Sequence, residues 1–225
     1  GDRGMVTRGS RHYRFMSRHA DGRLPTGAPC TVDRVAPDAV CYISHGPRLM
    51  AGSVNEQSFF HFLRPWGGEW MWINVGNDGA NLDWVVEALS TGTAIWVTDG
   101  SYNRDIAPQV SGAGWVLYCT ATGKRLYGNF YEFSDAAGSY RGELLGLLAI
   151  HTLAAAFEAY YDIHIGTVKI CCDNKGALHK SEELRRRIPT GASQADIKRV
   201  LRNLKAVIKG TMQYEWVPSH QDKYK

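Results

Sequence analysis

The sequence of 225 residues has no apolar run long enough to cross a membrane. A membrane-spanning helix needs about 18 or more consecutive, mostly apolar residues, and the first residues of this chain also lack the apolar core of a signal peptide. We therefore expect no membrane association and an intracellular protein, in the cytoplasm, the nucleus or both. The chain does not begin with Met and ends on a short basic stretch, which favours a fragment of a longer protein.

Cysteine is scarce, and its spacing excludes the common cysteine-based sites. The count of five is odd, and Cys171 and Cys172 are adjacent in an apolar run, so reduced core thiols are favoured over a disulfide framework. There is no C-x-x-C pair. The Cys and His residues nearer the N-terminus fit no common zinc module; they are His12, His19, Cys30, Cys41 and His45.

With 44% hydrophobic and 21% charged residues, the chain has the composition of a globular protein. We predict two regions. Residues 1–92 form an N-terminal linker or extension, partly disordered because residues 1–25 are rich in Arg and Gly without periodicity. Seven Phe and Trp residues crowd positions 59–87; we interpret them as packing on the following domain, with a short helix over 81–90, and an aromatic platform for nucleic acid is the alternative.

Residues 93–225 show a regular order of elements. Apolar runs bounded by turn residues predict three consecutive strands, a long helix, a fourth strand, two helices and a last strand. The first three strands are 93–99, 112–119 and 125–133, the long helix is 139–161, and the fourth strand is 167–173. The second helix is 176–184, a capping box at 193–196 begins the third helix, and the last strand is 212–218. Short connections make the first three strands antiparallel, and the crossover helix makes the fourth parallel to the first. The predicted fold class is therefore α/β, a mixed five-stranded sheet flanked by helices.

Three carboxylates lie at or near the ends of these predicted elements. Asp99 and Asp173 each close an apolar strand, and Glu143 lies in the first turns of the helix between them. If the two strands are neighbours and the helix crosses their ends, the three side chains converge. Gly142 weakens that helix, which indicates that a ligand or a backbone comes close at this point.

Five motifs carry a resemblance to a known family. Thr98 to Tyr102, Ser111 to Trp115, Tyr140 to Gly146, Cys172 to Asn174 and Trp216 to Asp222 resemble, in order, the ribonuclease H domain, and in particular the type that follows the reverse transcriptase of retrotransposons. The resemblance covers residues 93–225 and implies a ribonuclease H-like fold. It also implies endonucleolytic hydrolysis of the RNA strand of an RNA–DNA hybrid, in a retroelement polyprotein with an upstream reverse transcriptase as a partner.

The resemblance also implies the roles of individual residues. Asp99 would bridge two Mg²⁺ ions, for which Mn²⁺ is a substitute, Glu143 and Asp173 would each hold one ion, and His220 would assist proton transfer or product departure. Two divalent ions supply a nucleophilic water and stabilise charge on the attacking and leaving oxygens, and carboxylates are the ligands that Mg²⁺ prefers. Gly100, Ser101, Asn103, Glu143 and Asn174 would contact the A-like minor groove of the hybrid, where 2′-hydroxyls mark the RNA strand.

Basic residues are concentrated near the end of the chain. Residues 175–209 hold ten Lys and Arg against three Asp and Glu, a density that suits a surface following phosphates as much as a solvated helix face. On the helix after the capping box, the apolar positions form one stripe. The basic residues, which include Lys198, Arg199, Arg202, Lys205 and Lys209, are expected to face away from it, and Lys198, Arg199 and Arg202 are the candidates for substrate contacts.

One departure from the family pattern leaves two alternatives open. The pattern has a fourth carboxylate on a helix after the His motif, and this sequence ends five residues after His220; Asp222 is too near His220 to match it. We therefore expect a truncated domain with a weakened metal site. The alternatives are a catalytically degenerate ribonuclease H-like module that binds nucleic acid or acts as a spacer, and a different nuclease or transferase of the same fold.

Overall fold

A computed structural model of the protein describes residues 5–8, 11–14, 30–36, 39–44, 56–67, 69–72, 74–183, 188–189 and 191–219. The strands are β1 Met5–Arg8, β2 Arg11–Arg14, β3 Cys30–Ala36, β4 Ala39–Ser44, β5 Asn74–Asn77, β6 Ala94–Tyr102, β7 Val110–Cys119, β8 Arg125–Phe133, β9 Thr167–Cys172 and β10 Thr211–Trp216. The α-helices are α1 Glu56–Gly67, α2 Asp83–Thr91, α3 Ser139–Tyr161, α4 Lys175–Glu182 and α5 Ala195–Val207, with a 3₁₀ helix at Glu69–Trp72.

The predicted mixed sheet is confirmed, and it has one more strand than the sequence indicated. The strand order is β10-β9-β6-β7-β8-β5. β6, β7 and β8 pair antiparallel, whereas β9 is parallel to both β6 and β10. The sixth strand, β5, pairs antiparallel with β8 through Asn74 and Asn129. It is short and contains Gly and Asn, so it has no apolar periodicity that a sequence pattern could reveal.

Residues before position 92 contribute both to this sheet and to its core. Phe59 is fully buried and stacks on Phe157 of α3 with 4.3 Å between ring centroids, and Trp72 and Trp84 are buried as well. The packing interpretation of the aromatic cluster is therefore confirmed for these side chains, and the alternative of a nucleic-acid platform is wrong for them. Within the segment 1–25, the structure has the antiparallel pair β1–β2; the division of the chain at residue 92 stays a prediction.

Helix α3 is the central element of the core. It is long and apolar enough to span a membrane by composition alone, but 89% of its most apolar stretch is buried inside the fold. It packs along β6 and β7, and α1 and α5 pack against it. On the opposite face of the sheet, Val97, Tyr118 and Tyr127 are 41%, 39% and 42% exposed. The described helices therefore cover one face of the sheet more completely than the other.

The starts of two helices lack a side-chain cap. Helix α3 begins at Ser139, as predicted, and Gly138 before it makes no capping hydrogen bond through a side chain. The capping box predicted at 193–196 is wrong, because Gln194 before α5 adopts a left-handed conformation with φ 55° and makes no side-chain cap. The Asp196 carboxylate instead accepts a hydrogen bond from Arg141 at 2.8 Å, so a tertiary ion pair replaces the local cap.

A buried polar chain joins α3 to the edge strand β10. His151 is fully buried; its Nδ1 lies 2.7 Å from the Leu147 carbonyl oxygen and its Nε2 lies 2.7 Å from the Tyr214 hydroxyl. Since the carbonyl can only accept, Nδ1 carries the proton and Nε2 accepts from Tyr214. Burial lowers the pKa of His151 to about 4, and the nearby Lys205 ammonium lowers it further.

We predict an acid-sensitive stability that arises at His151. Between its ordinary pKa of about 6.5 and the folded value of about 4, the unfolded chain binds a proton that the folded chain does not. Stability should therefore fall as the pH drops through this window, by about 3 kcal/mol in total. Urea unfolding at pH 7 and pH 5 should show a smaller acid loss in His151→Gln than in the wild type. Equal losses in the two proteins would contradict the assignment, since the remaining ion pairs are common to both.

Candidate metal and nucleic-acid site

The parallel pairing of β6 and β9 brings two carboxylates to the same edge of the sheet. Thr98 of β6 is the register partner of Cys172, the last residue of β9, and Asp99 and Asp173 are the residues that follow them in the chain. The ladder between β6 and β9 ends at this pair, whereas β6 continues to Tyr102 against β7, with Asp99 opposite Gly114. Asp99 therefore lies within an antiparallel ladder rather than at the end of its strand, and its side chain is exposed.

Glu143 reaches this edge from the first turns of α3. Its side chain is 3% exposed, and its carboxylate accepts a hydrogen bond from the Gly100 backbone N–H. The close approach requires glycine, because a Cβ on Gly142 would lie 2.6 Å from the Gly112 carbonyl oxygen. The inference that Gly142 marks a close contact is confirmed, and the contact is with a backbone.

A thiol that the sequence indicated only as a core residue belongs to the site. Cys172 is fully buried, and its Sγ donates to Glu143 Oε2 at 3.4 Å. Ligand atoms of Glu143, Cys172 and Asp173 all lie within 4.8 Å of one another. Cys172 could have been recognised only from the register that places it beside Thr98, because its position next to Asp173 in the sequence also suits an ordinary core thiol.

The electrostatics of the site centre on Glu143. Burial raises the pKa of Glu143 to about 7, and the negative charges of Asp173 and Asp99 raise it further. The hydrogen bonds from Cys172 and Gly100 oppose this shift. Burial, together with the adjacent carboxylate, raises the pKa of the Cys172 thiol to about 12. At neutral pH the metal-free site therefore holds a buried carboxylate that is only partly ionised.

This donor set fits a hard divalent cation. Glu143 and Asp173 offer carboxylate oxygens in one cluster, and Asp99 is near enough for its charge to raise the pKa of Glu143. Mg²⁺ and Mn²⁺ prefer carboxylate oxygens and water. A cation would also neutralise the repulsion that raises the pKa of Glu143.

The residues predicted to contact substrate around Asp99 lie along a groove. The groove has a volume of about 600 Å³, and its lining includes Asp99, Ser101, Tyr102, Asn103, Asn129 and Tyr131. Ser101 is exposed, and Asn103 uses its Oδ1 to accept from the backbone N–H groups of Asp105 and Ile106. Gly100 lies under Glu143 instead, where an added Cβ would come 2.4 Å from the Glu143 nitrogen.

An indole that was not among the predicted site residues contacts Asp173. Trp216 is 43% exposed, and its Nε1 donates to the Asp173 carbonyl oxygen at 2.8 Å. The Lys175 ammonium lies 4.0 Å from the centroid of the Trp216 ring. Asn174 caps α4, because its Oδ1 accepts from the Ala177 nitrogen at 3.0 Å. His220 and Asp222 lie outside the described residues.

The basic residues of α5 do not all face solvent. The prediction that Arg199 faces away from the core is wrong: it is 7% exposed, and its guanidinium donates to the Ile188 carbonyl oxygen at 3.1 Å. Lys205 donates to the carbonyl oxygens of Ser181 and Glu182. Lys205 thus binds carbonyls at the C-terminal end of α4, and Arg199 binds one in the segment that follows.

Lys198 and Arg202 remain half-buried on the same helix. Lys198 donates to the Ser193 carbonyl oxygen at 2.6 Å and lies 5.1 Å from the centroid of the Tyr140 ring. Of the three basic residues on α5 predicted to contact substrate, Lys198 and Arg202 are therefore more accessible than Arg199.

Comparison with solved structures finds ribonuclease H domains. An RNase H1 from the halophilic archaeon Halobacterium salinarum NRC-1 is similar at 18% sequence identity and a TM-score of 0.43, over 58% of this chain and 89% of that chain. A second RNase H1, in complex with an RNA/DNA hybrid, is similar at 12% identity and a TM-score of 0.42, over 58% of this chain and 89% of that chain.

A viral polyprotein shows a similar level of likeness. The foamy viral protease–reverse transcriptase in complex with an RNA/DNA hybrid is similar at 12% identity and a TM-score of 0.43, over 60% of this chain and 19% of that chain. No protein-family model and no curated protein sequence matches the chain. At such low identities and TM-scores, these likenesses assign neither an activity nor a substrate to this chain.

We predict that Mg²⁺ stabilises the fold through Glu143 and Asp173. At about ten times its dissociation constant, a bound ion adds about 1.4 kcal/mol and should raise the melting temperature by about 3 to 6 °C. Asp173→Asn should lose most of this gain and should be more stable than the wild type without metal, because it removes a like charge beside Glu143. Glu87→Gln, an exposed change on α2, is the control. A wild-type melting temperature that Mg²⁺ does not move would rule out the site.

Proposed function

We propose that this protein hydrolyses the RNA strand of an RNA–DNA hybrid endonucleolytically, with two divalent cations as cofactors. The observation that carries the proposal is the convergence of Glu143 and Asp173, with Asp99 on the neighbouring strand, at one edge of the sheet. A buried carboxylate next to two others is costly to ionise unless a cation is bound. The arrangement is therefore the one expected of a metal-dependent phosphodiesterase.

Asp99, Glu143 and Asp173 are the residues that would hold Mg²⁺, or Mn²⁺ in its place. When bound, such ions supply a nucleophilic water at neutral pH and stabilise the charge of the attacking and leaving oxygens. The chain's own contribution is to hold the carboxylates in place. The Gly100 N–H and the Cys172 S–H each bind the Glu143 carboxylate, and Trp216 binds the backbone of Asp173, so the ligands are oriented before a metal arrives.

The hybrid would lie across this edge, with its RNA strand over the carboxylates. Ser101 and Asn103 line the groove beside Asp99, where their polar groups suit the 2′-hydroxyls of an A-like minor groove. Gly100 lets the backbone of α3 come close to β6 below the carboxylates. Asn174 follows Asp173 directly in the chain. Lys175, Lys198 and Arg202 would contact phosphates of the DNA strand, which positions the hybrid without reading its sequence. Arg199 is not among these contacts because it is buried.

The wider setting is also part of the proposal. The five sequence motifs favour a ribonuclease H domain of the retrotransposon type, in which an upstream reverse transcriptase supplies the hybrid, inside the cell. His220, which lies outside the described residues, would assist proton transfer or product departure. The alternative function is a degenerate module that binds hybrid without cleaving it, and the next experiment distinguishes the two.

We predict Mg²⁺-dependent cleavage of hybrid that is lost without Glu143. Since the ions lower the barrier by several kcal/mol, Glu143→Gln should reduce the rate at least about a hundredfold, while hybrid binding stays within about twofold. Cleavage of end-labelled hybrid, duplex RNA and duplex DNA is the measurement, with Glu87→Gln as the control. Cleavage of the hybrid alone supports the proposal. Hybrid binding without cleavage by the wild type, in Mg²⁺ and in Mn²⁺, would favour the binding module.

The basic side chains of α5 lead to a prediction about salt. Each phosphate contact contributes about 0.9 to the slope of log K against log salt concentration. Replacing both Lys198 and Arg202 by Ala should therefore reduce the slope for hybrid binding by about two units. Lys124→Ala, in the exposed turn between β7 and β8, should leave the slope unchanged. If the double variant and the control have the same slope, α5 does not contact the phosphates.

A further inference from the structure

A buried guanidinium lies two residues before Glu143. Arg141 is 3% exposed although it is in the first turn of α3. Its Nε and Nη2 donate to both carboxylate oxygens of Glu132 on β8, the Nη2 bond being 2.7 Å. Nη2 also donates to Asp196 Oδ2 at 2.8 Å, and Nη1 donates to Gln194 Oε1. The side chain therefore ties α3 to β8 and to the start of α5.

The planar fork of arginine is what this contact requires. Its N–H donors point in fixed directions and can meet the two oxygens of one carboxylate while reaching further acceptors. The ammonium of lysine is a compact point charge and cannot satisfy three side chains at these positions. The partners Glu132 and Asp196 are 23% and 17% exposed. Solvent therefore has little access to any part of the cluster.

Local interactions hold the first turn of α3 only weakly. Gly138 provides no side-chain cap, and Gly142 lowers the intrinsic stability of the helix at this point. The Gly142 N–H bonds the Gly138 carbonyl oxygen at 3.1 Å, which is the backbone contact that closes the turn. The position of Glu143 therefore depends on tertiary contacts, and from this turn Arg141 makes charged hydrogen bonds to Glu132 and Asp196.

The same side chain also anchors the helix proposed to contact the phosphates. Gln194 precedes α5 in a left-handed conformation, and its Nε2 donates to the Ala136 carbonyl oxygen at 3.1 Å while its Oε1 accepts from Arg141. Lys198 and Arg202 follow on α5 one and two turns later. One guanidinium therefore links the turn that carries Glu143 to the start of the helix that carries these basic side chains.

We propose that Arg141 is a positioning residue, which holds Glu143 at the sheet edge and keeps it in register with α5. This inference rests on the proposed hydrolysis of hybrid. Disturbing Arg141 should impair the chemical step beyond any loss of stability, because misplacement of a catalytic group by about an ångström costs on the order of a hundredfold in rate.

A matched control lies on the same helix. Glu158 is 7% exposed, and its carboxylate accepts from the backbone N–H groups of Ile165, Lys209 and Gly210. It anchors the far end of α3, fifteen residues after Glu143 and therefore about 22 Å along the helix. If Arg141 only stabilised the fold, substitutions that weaken either end of α3 should have the same effect on kcat per folded molecule.

The experiment compares Arg141→Lys with Glu158→Gln in the full chain. Both variants should lower the melting temperature. At a temperature where both are fully folded, Arg141→Lys should reduce kcat on hybrid by about tenfold to a hundredfold, a larger factor than its effect on KM, and it should lose the Mg²⁺-induced rise in melting temperature. Glu158→Gln should keep kcat within about twofold and keep the rise. Amide exchange should accelerate at Gly142 in Arg141→Lys and at Ile165 in Glu158→Gln.

Three results would decide against the inference or separate it from the proposed function. Equal kcat losses in the two variants, or unchanged exchange at Gly142 in Arg141→Lys, would overturn the positioning role. If Arg141→Lys does not fold, Gln194→Ala removes one partner and should show a smaller loss of the same kind. A wild type that neither cleaves hybrid nor gains stability from Mg²⁺ would overturn the proposed function. The amide-exchange comparison would still test whether Arg141 stabilises the first turn of α3.

Discussion

The contact on which the site depends is the close approach of α3 to the backbones of β6 and β7. A Cβ on Gly142 would lie 2.6 Å from the Gly112 carbonyl oxygen, and a Cβ on Gly100 would lie 2.4 Å from the Glu143 nitrogen. Any side chain at these two positions would move the helix away from the sheet. Glycine inside a helix costs about 1 kcal/mol relative to alanine, and here it allows Glu143 to reach the sheet edge.

The close approach creates an electrostatic problem that the surrounding groups reduce. Glu143 is buried beside Asp173, and burial raises its pKa to about 7. The Gly100 N–H and the Cys172 thiol stabilise its ionised form, and Arg141 balances the neighbouring charges of Glu132 and Asp196 rather than that of Glu143. The site therefore suits an external cation, while the guanidinium of Arg141 is engaged in holding the helix.

The basic side chains of the second half of the chain divide between internal and external roles. Lys205 donates to a backbone carbonyl at the C-terminal end of α4 and Arg199 to one in the segment after it, whereas Lys175 lies over the exposed ring of Trp216 beside Asp173. A high density of Lys and Arg therefore does not by itself measure a nucleic-acid surface. The long apolar stem of each side chain allows its charged end to serve the fold as well as a ligand.

The sequence by itself determined the order of the elements from β6 onward and placed Glu143 in the first turns of α3 and Asp173 directly after β9, because these depend on local patterns. The bounds of α3 and β8 agree with the prediction, and the apolar runs before Asp99 and Asp173 form neighbouring parallel strands. Only the tertiary structure decided which groups surround Glu143. The Cys172 contact depends on strand register, and the Arg141 cluster and the burial of Arg199 depend on distances between elements far apart in the chain. Periodicity shows which face of an element is buried, but it cannot show which polar group from another element will meet that face.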